Sequence, residues 1–254
     1  VSVFGIACSI LVVVNNEIEK KLWKRVEIYL SVLQIIPFVK MVSVCNNLAF
    51  GKVDEESDID LFVVVEEGRL FFVRTLVTAL LHLLGVRRYG KKVAGRFCLS
   101  FFVDESTTDL SKIAFDDDVY LAFWMKSMKP VIDNGFIDTF LSENEWARSY
   151  FESPADFKIS KRRLLLVSQV NALFNSMFAF AFGGVIGDFF EKKLSIWQKK
   201  RALKKAALSS KESSLVVTDH MLKFHNIDRR RFYRDRWRAK FGDKKLTEKR
   251  FLLL

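Results

Sequence analysis

Asp58 and Asp60 lie two apart in Ser57-Asp58-Ile59-Asp60-Leu61, at the head of the apolar run Ile59 to Val65. In an extended strand alternate side chains share a face. Both carboxylates therefore point one way, with Cβ atoms roughly 6–7 Å apart. Two carboxylates so placed suit one or two divalent cations, Mg2+ or Mn2+, which favour oxygen ligands. Such ions hold a triphosphate and stabilise in-line displacement at phosphorus. An Asp-x-Asp pair by itself also describes a solvated strand start, so its surroundings decide between the two.

Upstream runs Val44-Cys45-Asn46-Asn47-Leu48-Ala49-Phe50-Gly51-Lys52, and then Val53-Asp54-Glu55-Glu56 leads into Ser57 and the aspartates. Together these segments resemble the signature of the DNA polymerase beta-like nucleotidyltransferase superfamily. That signature is a Gly-Ser or Gly-Gly pair, about ten residues, then Asp-hydrophobic-Asp-hydrophobic. Within it the chain resembles a poorly characterised bacterial family of nucleotidyltransferase-domain proteins, through Gly68-Arg69-Leu70, Gly85-Val86-Arg87-Arg88, Met128-Lys129-Pro130 and Leu222-Lys223-Phe224-His225. The resemblance implies that Asp58 and Asp60 are catalytic metal ligands and that Asn46, Asn47 and Ser57 contact the nucleotide. It also implies that a nucleoside monophosphate moves from an NTP to a hydroxyl acceptor.

Two positions depart from that pattern. Asn46 stands where the superfamily has glycine, whose backbone approaches phosphates closely and tolerates positive φ. Asn is among the more tolerant substitutes for positive φ, but its side chain crowds the triphosphate. Active members also carry a third carboxylate on a later strand. The matching run here is Phe97-Cys98-Leu99-Ser100-Phe101-Phe102-Val103, with Ser100 its only clearly polar residue. Asp104 is the nearest candidate metal ligand, about 13 Å farther along the strand than Ser100.

The elements that must position these residues follow from periodicity. Residues 3–14, rich in Val and Ile, read as a strand or as the end of an element that begins upstream. Residues 16–36 read as a helix, with Ile18, Leu22, Val26, Tyr29 and Leu33 at helical spacing and Asn15 or Asn16 as N-cap. Phe38 to Val44 is a short strand, Asn46 to Ser57 a polar turn region, and Ile59 to Val65 a strand covered on both faces. Arg69 to Leu84 is a helix ended by Gly85, and Phe97 to Val103 a further strand. Asp116 to Met128 is a helix closed by Pro130. Lys161 to about Ala207 is helical with a break at the glycines, Leu215 to Val217 a short strand, and Asp228 to Phe241 a basic helix. The expected class is α+β: a small mixed sheet with packed helices, followed by a mainly helical C-terminal region. The expected division is residues 1–152 and 153–254, at Ser153-Pro154-Ala155-Asp156.

Composition bounds the partners. The chain has 254 residues, half of them hydrophobic, with 25 Phe, 3 Pro and 11 Gly, which favours long regular elements. It opens on Val1 and an apolar run, so an upstream segment is expected. Net charge is +11, yet residues 191–250 carry 20 Lys/Arg against 7 Asp/Glu while the remainder carries 21 against 23. The basic quarter suits RNA, DNA or an acidic lipid surface, or is a solvated helix face. Leu164 to Gly187 lacks charge for 24 positions, long enough for a bilayer. Its Ser and Asn content and its basic flanks favour a buried helix instead, with membrane-surface association as the weaker reading. Nothing at the N-terminus reads as a signal peptide. Cys8, Cys45 and Cys98 show no zinc spacing or disulfide framework and read as buried free thiols in a reducing cytoplasm.

Other candidates have simpler explanations. His82 reads as a core or interface residue. His220 and His225 lack a ligand pattern. Asp116-Asp117-Asp118 reads as a helix-start cluster. Arg87, Arg88, Lys91 and Lys92 form a basic loop able to meet phosphates. Phe232, Tyr233 and Trp237 interleave with arginines, which suits nucleic acid or, preferably, docking on the domain. The leading expectation is a cytoplasmic, Mg2+-dependent nucleotidyltransferase. The alternative is a degenerate fold kept as a nucleotide- or RNA-binding module.

Overall fold

The run Ile-Asp-Leu-Phe-Val-Val-Val forms β2 (Ile59–Val65), buried at every position except Asp60, as a strand with helices on both faces must be. Antiparallel β1 (Val39–Cys45) lies on one side and parallel β3 (Phe97–Asp104) on the other. The parallel step requires a crossover, which α3 (Leu70–Leu83) supplies. Edge strand β4 (Lys129–Asp133) pairs with β1, and the hairpin β5 (Ser214–Val217) and β6 (Met221–His225) extends the sheet beyond β3. The order is β4-β1-β2-β3-β6-β5. This computed structural model describes the backbone of residues 3–206, 214–225 and 228–254, and the side chains of 16–204, 215–224 and 228–254.

Alternation along the strands divides the core into two layers. Ile59, Leu61 and Val63 pack with Leu22, Val26 and Leu30 of α1 (Val3–Leu33) and with Phe71, Val73 and Val77 of α3. Phe62 and Val64 face the other way, toward Phe123 of α4 (Val119–Ser127), Phe140 of α5 (Ile137–Glu143), Trp237 of α8 (Arg230–Phe241) and Phe251 of α9 (Glu248–Phe251). The fold is α+β, with helices in the C-terminal part as expected. Residues after Ser153 add two strands to the main sheet and side chains to both layers.

Several local expectations change. Residues 3–14 are helix, continuous with 16–33, so Asn15 and Asn16 lie inside α1 and do not cap it. Pro130 does not merely close a helix; it sits in edge strand β4, where a missing N–H donor is tolerated. The helix begins at Val119, not Asp116, because the Asp118 carboxylate accepts the Leu121 N–H and caps it. The long C-terminal helix starts only at residue 169 and divides at Gly183–Gly184 into α6 (Gln169–Phe182) and α7 (Val185–Ala206). Leu164 to Gly187 is not a buried helix: no residue of α6 is buried. Among the described residues no single helix is long and apolar enough to cross a membrane; α6 and α7 meet that test only as a pair bent by 84°.

Candidate functional site

The site forms where β1 ends and β2 begins. The antiparallel ladder sets Cys45 opposite Asp60, and the parallel ladder sets Cys98 on the other side of Asp60. One row across three strands therefore reads Cys45, Asp60, Cys98. Asp58 immediately precedes β2, and Asn46 opens the short helix α2 (Asn46–Phe50) directly after β1.

Backbone contacts hold this corner. Ser57 Oγ accepts the Asp54 N–H at 2.9 Å and donates to Asp54 Oδ1 at 2.7 Å, closing the turn before the aspartates. Gly95 N–H donates to the Ser57 carbonyl, and Ile59 N–H to the Arg96 carbonyl, each at 2.8 Å. Gly51, at φ +69°, ends α2 in the left-handed conformation that glycine adopts without steric cost.

Asn46 takes φ +55°, a left-handed backbone that Asn tolerates better than most residues. Its amide donates to Asp60 Oδ2 at 2.8 Å, while Tyr120 Oη donates to Asn46 Oδ1 at 3.4 Å. Tyr120 stacks on Tyr233 of α8, with ring centroids 5.0 Å apart. Arg88 Nη1 donates to Asp58 Oδ2 at 2.5 Å and lies 3.7 Å from Cys98 Sγ. Burial, and then the neighbouring Asp58 charge, push the Asp60 carboxyl up to about 6; the Asn46 amide, Cys98 and Arg88 oppose the shift. Burial, followed by the Asp60 and Asp58 charges, pushes the Cys98 thiol up to about 12.

One carboxylate oxygen from each of Asp58 and Asp60 and the sulfur of Cys98 lie within 4.8 Å of one another. The two carboxylates fit a divalent cation, and Asn46 orients one of them from behind, as outer-shell partners of metal ligands do. The third donor is sulfur, which the expected oxygen-rich Mg2+ site does not use.

Asp104 is not part of this site. It aligns with Val65 at the far end of β2, five residues from Asp60 and roughly 17 Å along the strand. There its buried carboxylate accepts from Ser106 N–H, Ser106 Oγ and Thr107 Oγ1, and faces His220 Nδ1 at 2.7 Å. An irregularity lies between the Asp60–Cys98 and Phe62–Phe101 pairs, where β3 holds one residue more than β2. Phe97 and Leu99 pack in one layer before it, as does Phe102 after it, and Phe101 packs in the other. The residue aligned with Asp60 is thus Cys98, not Ser100; Ser100 remains close enough to hydrogen-bond the Cys98 sulfur.

Ser57, expected to contact the nucleotide, hydrogen-bonds Asp54 within the turn that precedes the aspartates. Asn47 is exposed on α2. Of the basic loop, Arg88 reaches the site, whereas Lys91 and Lys92 are exposed, with Lys92 over the Tyr89 ring. His82 is exposed on α3 and meets Tyr89 edge-on instead of lying in the core. The His225 and Cys8 side chains lie outside the described residues. Sequence reading missed Cys98 and Tyr120 as site residues. The signal for Cys98 was its position in an apolar strand that must pair with β2; nothing local marks Tyr120. Neither a protein-family model nor a curated protein matches the chain.

Proposed function

We propose that the chain transfers a nucleoside monophosphate from an NTP to a hydroxyl acceptor. The observation that carries this reading is the convergence of Asp58 and Asp60 beside a left-handed Asn46 at the β1–α2–β2 corner. In the reaction the acceptor oxygen bonds to the α-phosphorus and the α–β bridging bond breaks. Pyrophosphate leaves with the bonding electrons, and the acceptor proton passes to solvent. Asp58 and Asp60 hold a divalent ion that, when bound, offsets the triphosphate charge. Asn46 keeps the Asp60 carboxylate oriented. Asn47, exposed beside it, offers an amide to the phosphates. Arg88, whose side chain is 43% exposed, exchanges Asp58 for a phosphate oxygen, a partner its planar guanidinium recognises well.

Calorimetry with each of the four NTPs and Mg2+ or Mn2+ tests the site. Wild type binds at least one nucleotide in a metal-dependent way, and Asp58→Ala/Asp60→Ala, confirmed folded by circular dichroism, does not. Equal binding by the double variant sinks the assignment. NTP-dependent labelling of an acceptor should likewise disappear in Asp58→Asn.

Cys98 and Ser100 in place of a carboxylate favour a second reading: a nucleotide-binding module without transfer. It predicts metal-dependent binding with no pyrophosphate release across a panel of RNA, protein and small-molecule hydroxyl acceptors. Release with any of them excludes it.

A further inference from the structure

We infer that Cys98 Sγ is the third ligand of a cation site with Asp58 and Asp60, and that the site selects a thiophilic divalent ion such as Zn2+ or Co2+ over Mg2+. This deepens the reading above and rests on its metal assignment, not on transfer itself. The strand register aligns Cys98 with Asp60, and the extra residue in β3 follows Cys98, so it leaves that alignment intact. The three donor atoms converge within 4.8 Å. A thiol serving only as packing faces leucine and phenylalanine; this one faces two carboxylates and a guanidinium. A positive group already lies against two of the three donors, since Arg88 Nη1 contacts Asp58 Oδ2 at 2.5 Å and Cys98 Sγ at 3.7 Å. Arg88 leaves by side-chain rotation toward solvent, and the Asn46 amide holds Asp60 as the ion enters. The Sγ–metal bond forms as the thiol proton passes to solvent. Zn2+ accepts mixed sulfur and carboxylate ligands, whereas Mg2+ gains nothing from sulfur.

Co2+ titration into the full chain without nucleotide tests this. We expect a thiolate-to-cobalt charge-transfer absorbance that saturates with bound metal, persists in Cys45→Ser and resists a large excess of Mg2+. Cys98→Ser, folded by circular dichroism, should lose the band and bind Zn2+ on the order of 100-fold more weakly or worse. Co2+ binding without the band, or a band that survives Cys98→Ser, overturns the ligand assignment and leaves the carboxylate site standing. Absence of any cation binding by the wild-type chain, Mg2+-dependent nucleotide binding included, overturns both.

A separate observation carries a second inference: the bent α6–α7 pair docks on an anionic lipid surface. Helix α6 is inverted in its amphipathicity. Its amides face the protein, with Asn171 Nδ2 donating to the Ser31 carbonyl at 2.9 Å and Asn175 Nδ2 to the Gln34 and Ile36 carbonyls at 3.0 and 2.9 Å. Its apolar side faces outward: Leu166 just before it, Phe180 within it and Val185 just after it are 95%, 93% and 84% exposed. Isolated exposed apolar residues are ordinary, but a contiguous patch marks an interaction surface. Charge complementarity selects the occupant. Residues 161–206 carry 10 Lys/Arg and 2 Asp/Glu, a net +8, the composition of helices that lie in the plane of an acidic membrane. Co-sedimentation with vesicles of neutral lipid alone, and of neutral lipid with phosphatidylserine, tests it. Wild type should sediment with the anionic vesicles at least 10-fold more than with the neutral ones, and Phe174→Glu/Phe178→Glu/Phe180→Glu should not. Failure of monodisperse wild type to sediment overturns the inference. So does a dimer in solution that the same substitutions dissociate, which would assign the face to a second copy of the chain.

Discussion

Asn46 combines a backbone role and a side-chain role that substitution can separate. A non-glycine residue at φ +55° is strained by contact between Cβ and the carbonyl, and Asn eases this with local hydrogen bonding. Asn46→Ala is expected to lower unfolding free energy by about 1–2 kcal/mol, measured by urea denaturation. Asn46→Gly should avoid most of that backbone cost while still removing the amide from Asp60 Oδ2. If the amide orients the metal ligand, both variants lose cation affinity although only Ala loses much stability. Equal affinity in wild type and Asn46→Gly would assign the residue to the turn alone.

At the scale of elements, α8 is the test of whether the basic C-terminal segment docks or floats. Its Trp237 is buried, Tyr233 stacks on Tyr120, and Arg230 Nη1 reaches the fully buried Asp118 carboxylate at 2.9 Å while its Nε bonds Asp228. Arg238 pairs with Asp117. Tyr233 and Trp237 are therefore used for docking, whereas Phe232 is 53% exposed. Removing one member of a buried ion pair strands the other charge. Arg230→Met should cost about 3–5 kcal/mol, and adding Asp118→Asn should recover part of it, because the amide oxygen can still cap α4. Trp237→Ala should cost a similar amount, about 3–5 kcal/mol. Chemical denaturation measures all three. A change below about 1 kcal/mol in both single variants would mean that α8 contributes little to the fold. β3 teaches the same lesson in the sheet. One additional residue after Cys98 puts Phe101 in the layer opposite to Phe97 and Leu99, and a one-residue slip is the largest change a strand's pattern can undergo.

Across the molecule, the net positive charge meets its clearest cost at Lys223. Its side chain is buried on β6, and burial, then repulsion from Arg230, depress its ammonium to about 8 from 10.5. The unfolded chain therefore binds the extra proton between about pH 8 and 10.5. Stability rises with pH across that window, and the full penalty is present below it. The difference corresponds to about 3 kcal/mol. Lys223→Met should raise stability near pH 7 and flatten the slope between pH 8 and 10 relative to wild type, as measured by urea midpoints in a pH series. An unchanged slope would show that Lys223 does not carry this penalty. The bent pair α6 and α7 is the other whole-molecule feature: apolar surface that the fold leaves outward while the amides of α6 pin it to the protein.

Local rules made most elements legible. Ile59 to Val65 had to be a doubly covered strand because it is apolar at every position except Asp60. Arg69 to Leu84 had to be a helix ended at Gly85, one residue longer at each end than the observed Leu70–Leu83, and the two-residue spacing alone put Asp58 and Asp60 on one face. The left-handed turn at Asn46 also belonged to the sequence, since Asn is one of few residues that tolerate it. Tertiary structure decided what spacing cannot encode. The order of strands brought Cys45 and Cys98, 53 positions apart in the chain, to either side of Asp60. Strand register set Cys98, not Ser100, beside Asp60, and strand length carried Asp104 to the opposite end of the sheet. Packing also overruled hydrophobicity for α6. An apolar helix reads as buried in sequence, but burial depends on what stands opposite it, and here its two asparagines found the protein while Phe174, Phe178 and Phe180 faced out.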